Sequence, residues 1–298
     1  MAYQSRNPYN EEVGKTFFEI SDEQLEARIK AADDCFRNHW RNTCFDERKA
    51  ILKRAANILR ERAQDFATLI TLEMGKLIPQ SQGEVALCAA ILDYYADHAE
   101  QFLAPEKLPA SRGEAMVESS PLGVLFGIEP WNYPYYQIVR FAAPNLMAGN
   151  VVMVKHASNV PQCALAFENL MLEAGAPAGA YTNLFVSKDQ VGRIIDDERV
   201  RGVALTGSEG AGAVVAARAG KNLKKTTLEL GGSDAFIVLD DADLDKAVRH
   251  AVSGRMGNSG QACTASKRII VVDALADRFL EKFQAAMAGF KPGDPMDK

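Results

Sequence analysis

The chain has 298 residues, 47% of them hydrophobic and 24% charged, which is enough for two domains with separate cores and is typical of folded α/β proteins. Its net charge of −5 argues against nucleic-acid binding, and it has neither a signal core at its polar N-terminus nor the roughly 20 uninterrupted apolar residues of a membrane helix. Its five cysteines are scattered without a CxxC pair, which argues against a disulfide framework or a zinc site, so we expect a soluble cytoplasmic protein that binds no metal.

The first hundred residues are predicted to be helical. Ser21 to Gln24 (SDEQ) has the sequence of a capping box, which marks the start of a helix. The predicted helices run from Ser21 toward Trp40, from near Asp46 to Gly75, and from Pro79 to about Phe102. Residues 105–113 are rich in Pro, Ser and charge and are predicted to be a linker, and residues 114–120 an exposed strand.

From Gly123 onward, short apolar runs alternate with helical stretches. The predicted strands are residues 123–128, 151–155, 182–186, 202–206 and 226–230, and the helices between them are residues 134–147, 161–174, a short one before Asp196, and 208–220. Such alternation predicts a parallel sheet that is covered on both faces and binds ligands at the carboxyl ends of its strands. We therefore expect the chemistry in the loops after Ile128, Lys155, Thr206 and Leu230.

A second region follows Gly232. It begins with a predicted strand at residues 235–239, after which the acidic run at 240–243 caps a helix that ends at about Met256. A loop carrying Cys263, a strand at residues 268–272 and a final helix complete the chain.

Four segments contain residues suited to chemistry, and each also has a plainer interpretation. The glycine-rich turn at residues 206–212 suits a phosphate, or is only a helix cap. Glu229 is a candidate general base or a solvent-facing strand end. Cys263 lies in a polar, glycine-bearing loop and is a candidate nucleophile, although a lone cysteine is more often a packing residue. Asn132 is a candidate oxyanion donor or a turn residue between prolines.

Taken together and in this order, these segments resemble the aldehyde dehydrogenase superfamily. The resemblance is carried by PWNYP (130–134), PNLMAGNVVMVK (144–155), EAGAPAG (173–179), TGSEGAG (206–212), ELGG (229–232) and NSGQAC (258–263). The 34-residue spacing from Glu229 to Cys263 also fits. Within the superfamily, KHASNV (155–160) and LELGGS (228–233) are most similar to the bacterial succinate-semialdehyde dehydrogenases. The resemblance implies a Rossmann-like parallel-sheet cofactor domain and part of a second α/β catalytic domain.

The resemblance also implies a domain organisation. Residues 1–110 and 121–230 would form the dinucleotide-binding domain, residues 111–120 a bridging strand used in oligomerisation, and residues 231–298 the N-terminal part of the catalytic domain. The closing PGDPMDK lies mid-way through the catalytic domain of family members, so the resemblance implies a chain truncated at its C-terminus. A full-length parent would be a homo-oligomer.

The implied reaction is NAD(P)-dependent oxidation of an aldehyde, through a thiohemiacetal and a thioester on Cys263, and the substrate that the resemblance favours is succinate semialdehyde, oxidised to succinate. Asn132 and the Cys263 backbone N–H would hold the oxyanion, and Glu229 would activate the hydrolytic water. The alternatives left open are another aldehyde, or a nucleotide-binding fragment without turnover. The cofactor residues implied by position are Trp131, Lys155, Ser158, Gly207, Ser208, Gly212 and Leu230.

Two positions bear on selectivity. Ser158 stands where many NAD-preferring members have a glutamate that would repel a 2′-phosphate, so NADP is predicted to be preferred over NAD. Arg140, eight residues after Asn132, matches an arginine that clamps the substrate carboxylate in succinate-semialdehyde dehydrogenases, or is a surface arginine paired with an acid.

One position departs from the family pattern. Phe141 stands where many relatives have a lysine, so the proton-relay role of that lysine cannot be carried over.

Overall fold

The N-terminus forms a hairpin that the sequence did not indicate. The computed structural model describes residues 3–297, and in it β1 (Tyr3–Arg6) pairs antiparallel with β2 (Val13–Phe17). The Tyr3 hydroxyl donates to the Val186 carbonyl at 2.7 Å and thereby ties the hairpin to the body of the protein. The prediction that the first hundred residues are helical is therefore wrong at this end, where mostly polar residues gave no strand pattern.

Four helices follow: α1 (Asp22–Asn38), α2 (Phe45–Glu61), α3 (Ala63–Met74) and α4 (Ile78–Phe102). The predicted capping box is confirmed, since Ser21 accepts from the Gln24 N–H and Gln24 from the Ser21 N–H. The single helix predicted from Asp46 to Gly75 is wrong, because the chain turns at Arg62 (φ −112°, ψ 30°) between α2 and α3. No Gly or Pro marks that turn. Gly75 ends α3 in the left-handed conformation (φ 75°).

A small antiparallel hairpin separates these helices from the main sheet. β3 (Glu106–Leu108) pairs with β4 (Ala115–Val117), so the linker prediction for residues 105–113 is partly wrong and the strand predicted at 114–120 is present but shorter. Leu108, Met116 and Val117 are each more than 40% exposed.

The predicted parallel sheet is confirmed. Its strands are β5 (Val124–Glu129), β6 (Val151–His156), β7 (Tyr181–Asn183), β8 (Val200–Thr206) and β9 (Lys225–Glu229), in the order β7-β6-β5-β8-β9. The connecting helices are α5 (Pro134–Met147), α6 (Pro161–Glu173), α7 (Lys188–Asp196) and α8 (Glu209–Lys221). The chain order reverses between β5 and β8, which places a crevice beyond the ends of these two strands.

A smaller unit follows the sheet. β10 (Ala235–Val238) and β11 (Arg268–Val271) pair in parallel, and α9 (Leu244–Met256) and α10 (Asp273–Ala288) pack on one face of them. Its buried apolar residues form a cluster separate from that of the main sheet: Val238, Leu244, Val248, Ala251, Val252 and Phe279. The other face exposes Ile237 and Ile270. Among residues 3–297, no helix is both long and apolar enough to cross a membrane.

Candidate active site

The loop that carries Cys263 meets the loop that follows β5 in a cleft of about 410 Å³. Asn132 and Cys263 both line this cleft, and Cys263 is exposed. Four of the residues predicted to bind the cofactor line the same cleft, namely Trp131, Gly207, Ser208 and Leu230. The structure thus brings the candidate nucleophile and the candidate oxyanion donor to one site.

Asn132 is held by contacts to the cysteine loop. Its side-chain amide donates to the Gln261 carbonyl at 2.8 Å, and its own carbonyl accepts from the Asn258 side-chain amide at 2.8 Å. An amide NH₂ has two hydrogens, so one remains for a ligand. Its buried Oδ1 finds no hydrogen-bond partner within the described part of the chain.

The cysteine loop has an unusual backbone. Asn258, Ser259 and Gly260 all have positive φ, at 52°, 55° and 76°, a left-handed run that is strained for the two residues with a Cβ. Asn258 stabilises the run, since its side-chain amide also reaches the Gln261 carbonyl at 3.2 Å. Lys267 Nζ donates to the Cys263 carbonyl at 2.8 Å. These bonds hold the backbone on both sides of the thiol, at the Gln261 and Cys263 carbonyls.

Glu229 and Arg140 lie together, in a second cavity of about 320 Å³ on the α5 side of β8 and β9. Arg140 Nη2 is 3.1 Å from Glu229 Oε1, and Thr206 lines both this cavity and the cysteine cleft. The hydrogen bond and charge of Glu229 raise the pKa of Arg140 against the opposing effect of burial. The candidate base and the candidate carboxylate clamp are therefore partners of each other here, next to the cleft rather than in it.

Glu129, at the end of β5, lines the same cavity and was missed by the sequence analysis. It is 4% exposed and its Oε2 accepts no hydrogen bond from the described residues. Burial raises its pKa to about 8, with Glu229 adding to the shift and Thr206 and Arg140 opposing it. Its position directly before PWNYP was the available signal.

Lys155 and Ser158 line a third cavity, of about 290 Å³, together with Lys188. Burial, and to a lesser extent the charge of Lys188, lower the pKa of Lys155. Lys155 Nζ donates to the neighbouring His156 carbonyl at 3.1 Å. The two ammonium groups and the Ser158 hydroxyl are donors suited to a phosphate, and the carboxyl side chains of Glu19 and Asp189 line the same cavity.

The glycine turn before α8 fits a dinucleotide. In this turn, a Cβ added at Gly207 would meet only a Leu205 methyl at 3.5 Å. In the neighbouring loop after β9, a Cβ added at Gly231 would meet nothing within 4 Å. The backbone is therefore open to a ligand at both glycines. Ser208 caps α8 by accepting from the Ala211 N–H at 3.3 Å. A Cβ at Gly212 would come within 2.7 Å of Leu230, which explains the glycine by helix packing. No cluster of residues 3–297 has the His, Cys, Asp and Glu side chains to hold a metal.

The other residues that the sequence analysis missed are Gln261, Asn258 and Lys267. All three lie within five residues of Cys263 and were visible as polar neighbours of the thiol. Their partners belong to a loop more than a hundred residues away, or to the backbone of the cysteine loop itself, and no spacing rule relates these positions.

The sequence is similar to those of known dehydrogenases. A sequence model described as the aldehyde dehydrogenase family matches residues 1–298. The chain is 53% identical to the NADP(+) succinate-semialdehyde dehydrogenase of Deinococcus radiodurans, over 98% of this chain and 61% of that protein. It is 45% identical to the enzyme of the same name from Mycobacterium avium, over 98% of this chain and 62% of that protein.

Solved structures agree in fold. Succinic semialdehyde dehydrogenase from Streptococcus pyogenes, in complex with NADP+ as the cofactor, superposes with a TM-score of 0.97 at 50% identity, covering 99% of this chain and 65% of that one. The chain thus spans between 61% and 65% of the length of these relatives.

Proposed function

Because the chain belongs to the aldehyde dehydrogenase family, we propose that the whole protein oxidises succinate semialdehyde to succinate with NADP, and less readily with NAD. The relatives' names support the substrate and the cofactor. The observation that carries the proposal is the shared cleft that Cys263 and Asn132 line together with the glycine turn at Gly207. Trp131, Ser208 and Leu230 would complete the cofactor surface of that cleft.

In the proposed reaction, the Cys263 thiolate adds to the aldehyde carbon and the carbonyl oxygen becomes an oxyanion. The free Asn132 amide hydrogen and the Cys263 backbone N–H hold that oxygen. The bound nicotinamide supplies the hydride acceptor that makes oxidation of the adduct to a thioester possible. Glu229 then takes a proton from water and the resulting hydroxide attacks the thioester carbonyl; the acid leaves, and Glu229 returns its proton to the departing Cys263 sulfur.

The Arg140–Glu229 ion pair suggests how a carboxylate substrate acts in this scheme. A substrate carboxylate offers Arg140 the same charged group as Glu229 does, and it could bind both ends of the guanidinium. We propose that the substrate carboxylate replaces Glu229 at Arg140. Release of Glu229 then leaves its carboxylate to act on water.

The selectivity for NADP is proposed to rest on Lys155 and Ser158, which share their cavity with Lys188. A 2′-phosphate would gain charge-assisted hydrogen bonds from the ammonium and the hydroxyl, and no carboxylate stands at position 158 to repel it.

The domain organisation is also a proposal. Residues 1–110 with 121–230 are proposed as the cofactor domain, and residues 231–298 as part of the catalytic domain. The exposed β3–β4 hairpin is proposed to join copies of the protein into a cytoplasmic homo-oligomer.

The test is a steady-state assay of NADPH formation by the 298-residue chain, with succinate semialdehyde and with butanal, which has the same carbon chain without the carboxylate. Cys263→Ser should abolish turnover. Arg140→Ala should raise KM steeply for succinate semialdehyde and leave KM for butanal nearly unchanged. NADP binding without any turnover would support the reading as a nucleotide-binding fragment, and equal effects of Arg140→Ala on both aldehydes would refute the clamp.

A further inference from the structure

A buried ion pair contacts the segment that follows Asn132. Lys76, in the turn between α3 and α4, is bonded to Glu84 of α4, and each side chain is only 1% exposed. Neither residue lines the cysteine cleft. The pair lies in a helical layer whose buried residues are mostly apolar.

Glu84 supplies the cap that α5 lacks. The N-cap residue Tyr133 makes no side-chain cap bond, and Pro134 has no N–H. The next two N–H groups, of Tyr135 and Tyr136, both donate to Glu84 Oε1, at 2.9 and 3.1 Å. One carboxylate oxygen therefore satisfies the open end of the helix that begins two residues after Asn132.

Lys76 acts on the same segment from the other side. Its Nζ lies 3.7 Å from the ring centroid of Tyr133, within the range of a cation–π contact. The first turn of α4 also reaches the cysteine loop, because Gln80 Oε1 accepts from the Asn258 N–H at 3.1 Å. The first two turns of α4 are consequently bonded both to the N-terminus of α5 and to the cysteine loop.

Stability alone does not account for such a pair. Removing two charges from water is unfavourable, and a buried ion pair replaced by apolar residues of similar volume is often neutral or stabilising. What an apolar pair would not provide is the acceptor for the two N–H groups of α5. The arrangement specifies the position of a backbone segment rather than adding to the free energy of unfolding.

We propose that Lys76 and Glu84 are positioning residues that hold the Tyr133–Tyr136 turn, and through it set the Asn132 amide against the oxyanion formed on Cys263. This rests on the proposed function, in which Asn132 is the oxyanion donor. Neither residue touches substrate; both act through the loop.

Two double variants separate the hydrogen bonds from the charge. Lys76→Met with Glu84→Gln removes both charges but keeps an Oε1 that can accept from α5. Lys76→Met with Glu84→Met also removes both charges, at similar volume, but leaves no acceptor. Because neither variant leaves a buried charge unpaired, both should fold, and their melting temperatures are compared first.

The readout is a pair of reactions at Cys263. Acetylation by p-nitrophenyl acetate proceeds through an oxyanion as the thiolate expels p-nitrophenolate, whereas alkylation by iodoacetamide displaces iodide and forms no oxyanion. We expect the Met/Met variant to be acetylated about tenfold or more slower than the Met/Gln variant, since misplacement of a catalytic group by about 1 Å can reduce a rate by that much or more. Their alkylation rates should agree within about twofold.

The Asn132→Ala variant, alone and combined with each double variant, tests whether the effect passes through Asn132. It should slow acetylation about 10²–10³-fold, and in its background the difference between the two double variants should vanish. Equal acetylation of the two double variants, or a difference that persists without Asn132, would overturn the positioning role. If the wild-type chain is alkylated at Cys263 but not acetylated, the failure belongs to the proposed function rather than to this inference.

Discussion

Replacing Glu129 by Gln should change the stability of the protein in a pH-dependent way. Glu129 is 4% exposed, its Oε2 has no partner among residues 3–297, and burial raises its pKa from 4.5 to about 8. At neutral pH the folded protein therefore carries it mostly as the neutral acid. A Gln side chain has nearly the same shape and never ionises.

The sign follows from proton linkage. Between pH 4.5 and about 8 the unfolded chain has lost the Glu129 proton and the folded protein has kept it, so the free energy of unfolding falls as pH rises. The groups facing the carboxyl are Thr206, Arg140 and Glu229, and their effects are included in the shift. Each pH unit in that window removes about 1.4 kcal/mol, and the whole shift corresponds to an upper limit on the order of 5 kcal/mol.

The assay is reversible urea unfolding of wild type and Glu129→Gln at several values of pH. Taking the difference between the two proteins cancels the other titrating groups. The variant should match wild type near pH 4, become steadily more stable relative to it from pH 4.5 to about 8, and keep a constant advantage above that. A difference that does not change with pH would refute the shifted pKa. The infrared C=O band of a protonated carboxyl, present at pH 7 and lost in the variant, reads the same proton directly.

Three further predictions follow from the fold and the cavities. Ser158→Glu should raise the dissociation constant for NADP at least about tenfold, because the new carboxylate repels the 2′-phosphate, and should leave NAD binding unchanged or tighter. Titration of Trp fluorescence measures both constants, and an equal loss of affinity for both cofactors would contradict the assigned cavity. Ser21→Ala removes the cap of α1 and should cost about 1 kcal/mol of unfolding free energy, with no change in cofactor affinity. Leu52→Ala, at a fully buried site, should cost about 2–5 kcal/mol, whereas its control Leu223→Ala, at a side chain 95% exposed, should stay within about 0.5 kcal/mol.

The sequence predicts most of the main sheet because its signals are local. Pro134 at the first helical position and the apolar periodicity after it define α5, which matches the prediction at both ends. The β1–β2 hairpin could not be predicted in this way, since its strands are polar and are held by a contact 183 residues away, from Tyr3 to Val186. The break at Arg62 was missed because the apolar pattern continues through it.

In the candidate site too, local features could be predicted from the sequence and contacts between distant segments could not. The loops of Asn132 and Gly207 could be expected at strand ends from the alternation of elements, and they share a cleft with the Cys263 loop. The partners of these residues could not be expected. The bonds of Asn132 to Gln261, of Arg140 to Glu229 and of Glu84 to α5 join segments that are far apart in the chain. Only the packed structure determines such pairs.

The separate cluster of α9, α10, β10 and β11 has a consequence for how the thiol is exposed. In the described part of the chain six buried apolar side chains form that cluster, and the Cys263 loop connects α9 to β11, whereas Asn132 follows β5 of the main sheet. The small unit can therefore open as its own cooperative segment, which parts the nucleophile from its oxyanion donor while the five strands stay folded. Labelling of Cys263 by a bulky thiol reagent should accelerate at urea concentrations where the amide hydrogens of β5 and β6 remain fully protected from exchange.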